Sequence, residues 1–273
     1  MAPSAAGCPV SGAAAPAEPG AVLDLSGRRV LVTGAGSGIG AACSRRLARA
    51  GAVVGVLDRD AVAAERVAEE VGGEAVVVDL ADPAALDAVC DGWAATADVL
   101  VNNAGLQHVA PVEHFPPEQF ALILRVMLEA PFRLVRAALP HMYAQGWGRV
   151  VQVSSVHGLR ASPNKSAYVA AKHGLEGLSK VVALEGGPRG VTSNSVCPGY
   201  VRTPLVQGQI AAQAEAHGIE EAEVVSSIML TQPAIKRLIE PAEVAELVAF
   251  LCCDAASFVN GSSYVMDGGW TAR

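Results

Sequence analysis

The stretch "VLVTGAGSGIG", residues 30–40, ends an apolar run and then places Gly34, Gly36, Gly38 and Gly40 in close succession. Glycine adopts backbone torsions that other residues avoid. Without side chains in the way, the backbone N–H groups of such a turn can approach a pyrophosphate at the N-terminus of the following helix. Many tight turns look similar, so the motif alone is weak. It predicts a strand, a phosphate-binding turn and a helix, and the rest of the chain must supply the sheet.

That sheet is indicated by short Val-rich runs that alternate with amphipathic, helix-length segments, a pattern typical of βαβ units. The candidate strands are residues 29–33, 53–58, 75–79, 98–104, 149–155, 191–197 and 263–267. Residues 117–143 predict a long helix that Pro131 should kink or interrupt, and residues 241–252 predict another helix. We predict an α/β fold, a Rossmann-like doubly wound parallel sheet of about seven strands with helices on both faces.

The domain organisation follows from length and local composition. Residues 1–21, rich in Ala, Pro and Gly, predict a disordered N-terminal tail and not a signal peptide. Residues 22–273 form one catalytic domain in this interpretation. Residues 204–238 are a long insertion without a clear strand, which we interpret as a mobile helical lid over a pocket.

Composition narrows the classes of ligand. A net charge of −7 disfavours a nucleic-acid partner, and no apolar run reaches the length of a membrane span. The six cysteines form no C-x-x-C pair, which predicts buried thiols in a reducing cytoplasm. The six histidines lack metal-ligand spacing, so no catalytic metal is predicted. Among the classes of ligand considered, a small molecule fits this composition best.

Asp58 ends the second candidate strand. A carboxylate there would accept hydrogen bonds from ribose hydroxyls and repel a 2′-phosphate, which favours NAD over NADP. Arg59 beside it could instead pair with such a phosphate. Asp58 could also simply cap the helix predicted by "AVAAERVAEE", residues 61–70.

Several motifs in a fixed order point to one family. Thr33, Gly34, Gly38 and Gly40 match T-G-x-x-x-G-x-G, and "DL" (79–80), "NNAG" (102–105) and "PGYVRTP" (198–204) follow. With these motifs the sequence resembles the short-chain dehydrogenase/reductase family from about residue 25 onward. The resemblance implies a dinucleotide cofactor, NAD, bound by Thr33, Gly34, Ser37, Gly38, Ile39, Gly40, Asp58, Asp79, Leu80, Asn103, Ala104, Gly105, Tyr168, Lys172, Pro198, Gly199 and Thr203.

The stretch "NKSAYVAAKHG", residues 164–174, carries Tyr168 and Lys172 four residues apart, on one face of a helix. A nearby cation lowers the pKa of a tyrosine from about 10. The pair could also be an ordinary amphipathic surface pair. The family resemblance implies catalysis: Tyr168 accepts the proton of a substrate hydroxyl while hydride leaves for the nicotinamide, Ser155 steadies the substrate oxygen, and Lys172 tunes Tyr168 and holds the ribose.

Three longer stretches, "NAGLQHVAPVEHF", "SSVHGLRASPNKSAYVAAKHG" and "CPGYVRTPLVQGQI", resemble the 3-hydroxybutyrate dehydrogenases within that family. The resemblance implies a short hydroxy acid bound by Gln107, Ser155, His157, Lys165, Tyr168 and Gln209. Each polar residue has another interpretation: His157 as a loop cap, Lys165 as a solvated lysine, and the glutamines as loop polar groups. Tyr200 stands where that group usually has a tryptophan.

One position departs from the family pattern. The resemblance places Met127 where the family usually has a catalytic asparagine, and a thioether is a weak acceptor that cannot donate. Three hypotheses follow: a 3-hydroxybutyrate dehydrogenase, a related enzyme acting on another hydroxy or oxo compound such as a 3-oxoacyl thioester, and a weakly catalytic NAD-binding sensor. Relatives are commonly homotetramers, which we expect here by analogy.

Overall fold

A computed structural model describes residues 23–272, apart from the side chains of residues 212, 213, 216 and 217. Its seven strands pair in parallel, in the order β3-β2-β1-β4-β5-β6-β7. They are β1 Arg29–Thr33, β2 Val53–Asp58, β3 Glu74–Val77, β4 Val99–Asn102, β5 Gly148–Val153, β6 Val191–Pro198 and β7 Ser263–Met266. The predicted Rossmann-like sheet of seven parallel strands is therefore confirmed.

Helices cover both faces of this sheet. They are α1 Gly38–Ala48, α2 Ala61–Val71, α3 Pro83–Asp91, α4 Pro117–Leu124, α5 Ala130–Gln145, α6 Ser166–Gly186, α7 Pro204–His217, α8 Glu221–Val224 and α9 Pro241–Cys252. One apolar cluster packs α1, α2 and α9 against the sheet, and a second packs α3 to α6 against its other face. Strands with both faces covered need the near-continuous apolar runs that the sequence contains.

The long helix predicted over residues 117–143 is divided in two. α4 ends at Leu124, the π-helical turn Arg125–Glu129 follows, and α5 begins at Ala130 with Pro131 in its first turn. A proline in a first turn loses no intrahelical hydrogen bond, since the N–H groups there have no helical partner. The predicted interruption thus lies immediately before Pro131, whereas Pro140 lies inside α5.

Residues 204–238 form a small helical layer with its own apolar cluster of Ile210, Val224, Met229, Leu230 and Leu238. The chain enters and leaves this layer through a parallel bridge between Val201 and Ile239. The Arg202 N–H donates to the Ile239 carbonyl at 2.8 Å. The predicted lid is helical, and its two ends meet at this bridge. The N–H groups of Ala234 and Ile235 tie it to the body of the fold a second time, since both donate to the Gly268 carbonyl, at 2.7 and 3.0 Å.

The predicted N-terminal tail and Cys8 lie outside the described residues. Within residues 23–272 the cysteines are free thiols, with Cys43, Cys197 and Cys252 buried and Cys90 and Cys253 half-buried. None of the helices in this range has the length and apolar character needed to cross a membrane.

Candidate active site

The glycine-rich turn joins β1 to α1. Gly34 and Gly38 have φ angles of +61° and +52°, a region that favours glycine. A Cβ on Gly36 would come within 2.7 Å of α2, and one on Gly40 within 2.2 Å of the Gly34 carbonyl oxygen. Ser37 makes no side-chain capping bond to α1 in the described part of the chain. The turn is a cradle with open N–H donors at a helix N-terminus, which fits a diphosphate.

Asp58 lies beside this turn at the end of β2. Its Oδ2 accepts a hydrogen bond from the Gly36 N–H at 2.9 Å, and its Oδ1 accepts one from the Asp60 N–H at 3.1 Å. The cap of α2 is Asp60, whose side chain accepts from the Ala63 N–H. The interpretation of Asp58 as a helix cap is therefore wrong. Its oxygens keep lone pairs for further donors, and the exposed Arg59 follows.

The "NNAG" segment joins the ends of β1 and β4. Thr33 Oγ1 accepts from the backbone N–H groups of Asn103 at 2.9 Å and Ala104 at 3.0 Å. The Asn103 side chain donates back to the carbonyls of Thr33 and Gly34 at 2.9 and 3.1 Å. These bonds fix the crevice at the point where the strand order reverses, the usual ligand site of such sheets.

A cavity of about 520 Å³ runs along the carboxyl ends of the strands. Most of the predicted cofactor residues line it: Gly34, Ser37, Gly38, Ile39, Asp58, Asp79, Leu80, Asn103, Ala104, Gly105, Tyr168, Lys172 and Thr203. Thr33, Gly40, Pro198 and Gly199 are not among its lining residues. Gly199 instead ties β6 to β7, since its N–H donates to the Met266 carbonyl at 2.8 Å.

Ser155, Tyr168 and Lys172 come together at the end of β5. Tyr168 and Lys172 lie one turn apart on α6, with Lys172 Nζ 5.7 Å from the centre of the Tyr168 ring. Lys172 Nζ donates to the Val153 carbonyl at 2.6 Å, and Ser155 lies close enough to the Tyr168 hydroxyl to lower its pKa by hydrogen bonding. Lys172 is only 4% exposed. The interpretation of the pair as an ordinary surface pair is therefore wrong.

The protonation of these groups is governed mainly by burial. Burial lowers the pKa of Lys172 to about 8, because a low-dielectric site disfavours the ammonium. Burial also raises the pKa of Tyr168 above its ordinary value, and the hydrogen bond with Ser155 acts in the opposite direction. The sequence predicted a lowered pKa for Tyr168. In this structure burial of the phenol outweighs the stabilisation of the phenolate.

Two predicted substrate residues contact each other, although neither is among the lining residues of the cavity. Gln209 on α7 donates through Nε2 to Gln107 Oε1 at 2.6 Å. The Nε2 group of Gln107 is buried and has no partner within residues 23–272. Burial lowers the pKa of Lys165, and among the described residues no carboxylate forms an ion pair with it. An amide donor and a cation are both left without an anionic partner.

His157 lies behind Tyr168, with ring centres 6.0 Å apart. Burial first, and the charges of Lys165 and His173 next, lower the pKa of His157 to about 4, so the imidazole is neutral at pH 7. Its Nε2 lies 2.8 Å from Ser162 Oγ. Since the side chain that caps this turn belongs to Ser155, His157 is not the loop cap of the alternative interpretation.

Aromatic rings extend the wall of the site. Tyr200 stacks on Trp270, with ring centres 5.6 Å apart and an interplanar angle of 11°. Trp270 also meets the His157 ring edge-on at 5.8 Å. Lys165 Nζ lies 5.9 Å from the centre of the Tyr200 ring. The C-terminal segment thus contributes to the same wall as Lys165 and His157.

Comparison with known proteins agrees with this geometry. Residues 34–271 match a family described as enoyl-(acyl carrier protein) reductase. The chain is 45% identical over 257 residues to a D-beta-hydroxybutyrate dehydrogenase of Rhizobium meliloti (strain 1021), with 90% of this chain and 99% of that protein covered. This chain belongs to the short-chain dehydrogenase/reductase family. The family resemblance read from the motifs is confirmed, and the protein is an oxidoreductase of that family.

Solved structures of short-chain dehydrogenases/reductases share the fold. One from Mycobacterium marinum has a TM-score of 0.80 and 31% identity, with 92% of this chain and 98% of that one covered. A proposed NAD(P)-dependent gluconate 5-dehydrogenase from Beutenbergia cavernae, with NADP at low occupancy, has a TM-score of 0.81 and 37% identity, over 92% and 99% of the two chains.

Met127 occupies the π-helical turn between α4 and α5 and is 1% exposed. Its sulfur lies 3.5 Å from the backbone N of Leu106, which donates to it. Met127 also lines the cavity beside Lys172. The side chain at the position of the family's asparagine therefore faces the site as an apolar group with one weak acceptor.

Sequence reasoning missed two residues of this region. Trp270 was not singled out because it lies 70 residues after its stacking partner Tyr200, and only the fold brings the two together. Glu176 lies on α6 one turn after Lys172 and is 4% exposed. Its i+4 spacing from Lys172 was a signal that the sequence contained.

Proposed function

We propose that this protein interconverts 3-hydroxybutyrate and acetoacetate with NAD as the redox partner. The observation that carries the proposal is that two predicted substrate groups, the Lys165 ammonium and the Gln107 amide, have no anionic partner among the described residues. A short acid must have its carboxylate paired when it leaves water. The name of the Rhizobium meliloti relative supports the same substrate class.

In this proposal, different side chains bind the carboxylate, transfer the proton and stabilise the reacting oxygen. Lys165, Gln107 and Gln209 bind the carboxylate and so orient the substrate. Tyr168 accepts the proton from the hydroxyl oxygen as the carbon is oxidised, and returns it when the ketone is reduced. Ser155 donates a hydrogen bond to the same oxygen. His157, being neutral, supports this end of the pocket without adding a second positive charge.

The cofactor proposal rests on the cradle around the glycine-rich turn. NAD supplies a nicotinamide ring that accepts or returns a hydride. Asp58 would accept hydrogen bonds from the adenosine ribose, and its charge disfavours a 2′-phosphate. Lys172 would hold the nicotinamide ribose and Thr203 the carboxamide. A comparison of Kd for NAD and NADP tests the preference, and tighter binding of NADP would show that Arg59 outweighs Asp58.

The activity is tested by NADH formation with a panel of hydroxy acids and by reduction of 3-oxoacyl thioesters. We expect turnover of 3-hydroxybutyrate, and loss of at least about a hundredfold in kcat for Tyr168→Phe with NAD binding retained. Tyr143→Phe, on α5 away from the site, is the matched control. Turnover of thioesters but not of hydroxy acids would show that the substrate is a 3-oxoacyl thioester. NAD binding without any turnover would favour an NAD-binding sensor.

We also propose a homotetramer in the cytoplasm, with residues 204–238 acting as a lid. Large apolar side chains on the outer face of α6 and on β7 support self-association: Val181 is 50% exposed, Leu184 79% and Val265 44%. The free buried thiols support a reducing compartment. The bridge between Val201 and Ile239, where the two ends of the segment meet, supports hinged motion of the lid.

A further inference from the structure

Glu176 is a buried carboxylate that the proposed chemistry leaves unused. It follows Lys172 by four residues on α6, so the two side chains share one face of the helix. Both residues are 4% exposed. Charged side chains are almost never buried so deeply without partners. The carboxylate therefore needs a role in either the fold or the site.

Two hydrogen bonds fix the orientation of Glu176. The Cys197 thiol on β6 donates to Oε1 at 3.3 Å, and the Ser263 hydroxyl on β7 donates to Oε2. Both contacts use the carboxylate as an acceptor, which is how an ionised carboxylate bonds. Gly158 makes room for it, since a Cβ there would lie 3.1 Å from Glu176 Cγ. The carboxylate is thus held by side chains of the sheet, one helical turn after Lys172.

Lys172 depends on its surroundings for its charge. Burial lowers its pKa to about 8, while Cys197 and Glu176 act in the opposite direction. Burial first, and Glu176 second, raise the pKa of Cys197 to about 12, so this thiol is neutral at pH 7. The turn after β5 contributes His157, which is also neutral. Of these neighbours, Glu176 is the one that supplies a negative charge.

We propose that Glu176 is a positioning residue whose charge keeps Lys172 protonated through neutral pH and so supports ionisation of Tyr168. Lys172 Nζ itself bonds to an uncharged carbonyl, that of Val153. On the cavity side, Met127 stands in place of an amide that could have polarised the site. The carboxylate behind the lysine takes over this electrostatic support. The proposal rests on the proposed Tyr168 chemistry but is independent of which substrate is bound.

Lysine titration tests the proposal without turnover. The chain contains four lysines, Lys165, Lys172, Lys180 and Lys236, so the signals of ¹³C-lysine-labelled protein can be assigned by substitution. In Glu176→Gln we expect the acid dissociation constant of Lys172 to rise about tenfold, which lowers its pKa by roughly one unit. The exposed Lys180 should titrate as before. Ser263→Ala keeps the charge but removes a structural tie, and should move Lys172 less than about threefold.

The pH profile of kcat/KM distinguishes an electrostatic role from a structural one. Without the carboxylate, the ammonium is lost at lower pH and Tyr168 ionises less readily, so the rising limb for alcohol oxidation moves to higher pH. A pKa of about 7 leaves roughly half of Lys172 protonated at pH 7, so we expect about twofold less activity there, a larger loss near pH 8, and recovery toward the wild type at still higher pH, where Tyr168 ionises without the ammonium. A purely structural role would lower activity equally across the range, and that result would overturn the proposal.

The remaining outcomes are equally decisive. Glu176→Met, an apolar side chain of similar length, is the second charge-free variant if the glutamine variant fails to fold, and the same shift is expected. A Lys172 signal that is already neutral at pH 7 in the wild type would contradict the proposal, as would equal shifts in Glu176→Gln and Ser263→Ala. Failure of the hydroxy-acid panel would reject only the substrate, because the titration is measured without substrate.

Discussion

Lys165 is a half-buried cation without an ion-pair partner among the described residues, and removing it should weaken substrate binding specifically. A charge-assisted hydrogen bond contributes about 1.5–3 kcal/mol, so Lys165→Ala should raise KM for 3-hydroxybutyrate roughly ten- to hundredfold. Kd for NAD should change much less. Lys180→Ala is the control, since Lys180 is an exposed lysine on α6, the helix that Lys165 precedes. Equal losses in KM and in NAD affinity would contradict the role of Lys165.

Individual residues were predictable where chemistry limits the choice of side chain. The spacing of Tyr168 and Lys172 predicted one shared helix face, and the family motifs around them implied a catalytic pair; the structure places the two side chains together. Trp270 carries no such local signal. Asp267 holds its turn, accepting from the N–H groups of Gly269 at 2.9 Å and Thr271 at 2.7 Å. The contact of Trp270 with Tyr200 depends on the path of the whole chain.

At the scale of elements, the π-helical turn Arg125–Glu129 places Met127 in the lining of the cavity that Lys172 also lines. Met127→Asn would restore an amide that can donate and accept at that point. If proton transfer from Lys172 to water limits turnover, kcat should rise up to about tenfold. The buried amide should lower the unfolding free energy by about 1–2 kcal/mol. Steady-state rates and the solvent deuterium isotope effect measure the change in turnover, and thermal unfolding measures the change in stability.

The control for this substitution is Met127→Leu, which keeps an apolar side chain of similar size in the turn and should keep the wild-type kcat. A wild-type isotope effect close to one, together with unchanged kcat in Met127→Asn, would show that protons already leave the site by another route. In that case the methionine is core filler in a turn that tolerates it.

Helices and strands were predictable where the spacing of apolar residues within a short stretch of sequence determines them. The runs at residues 29–33 and 53–58 coincide with β1 and β2, because parallel strands covered on both faces require continuous apolar residues. The strand predicted to extend to residue 104 ends at Asn102. The side chain of the following Asn103 donates to the carbonyl of Thr33 in the neighbouring strand β1. The break before α5 was signalled by Pro131. Its π-helical form was not, because side-chain packing selects it.

At the scale of the whole molecule, the order of the strands places every proposed role at one edge of the sheet. The glycine-rich turn, Asn103 and Ser155 each follow a strand, and Asp58 is the last residue of one. Parallel pairing brings the carboxyl ends of these strands together. α6 then supplies Tyr168 and Lys172 from one face, while β6 and β7 hold Glu176 from behind. The opposite, outward face of α6 carries the exposed apolar side chains of Val181 and Leu184 beside the charged side chains of Lys180 and Glu185.

That outward face gives the last prediction, on assembly. Leu184 is 79% exposed on α6, and a two-fold interface would bury it once from each chain. Burying one leucine contributes about 1.5–3 kcal/mol, so Leu184→Glu should weaken such an interface by roughly a hundredfold or more and yield smaller assemblies. Light scattering after size-exclusion chromatography measures the mass. Val62→Glu, 76% exposed on α2, should behave as wild type. Wild-type mass for both variants would exclude this face of α6 as the contact.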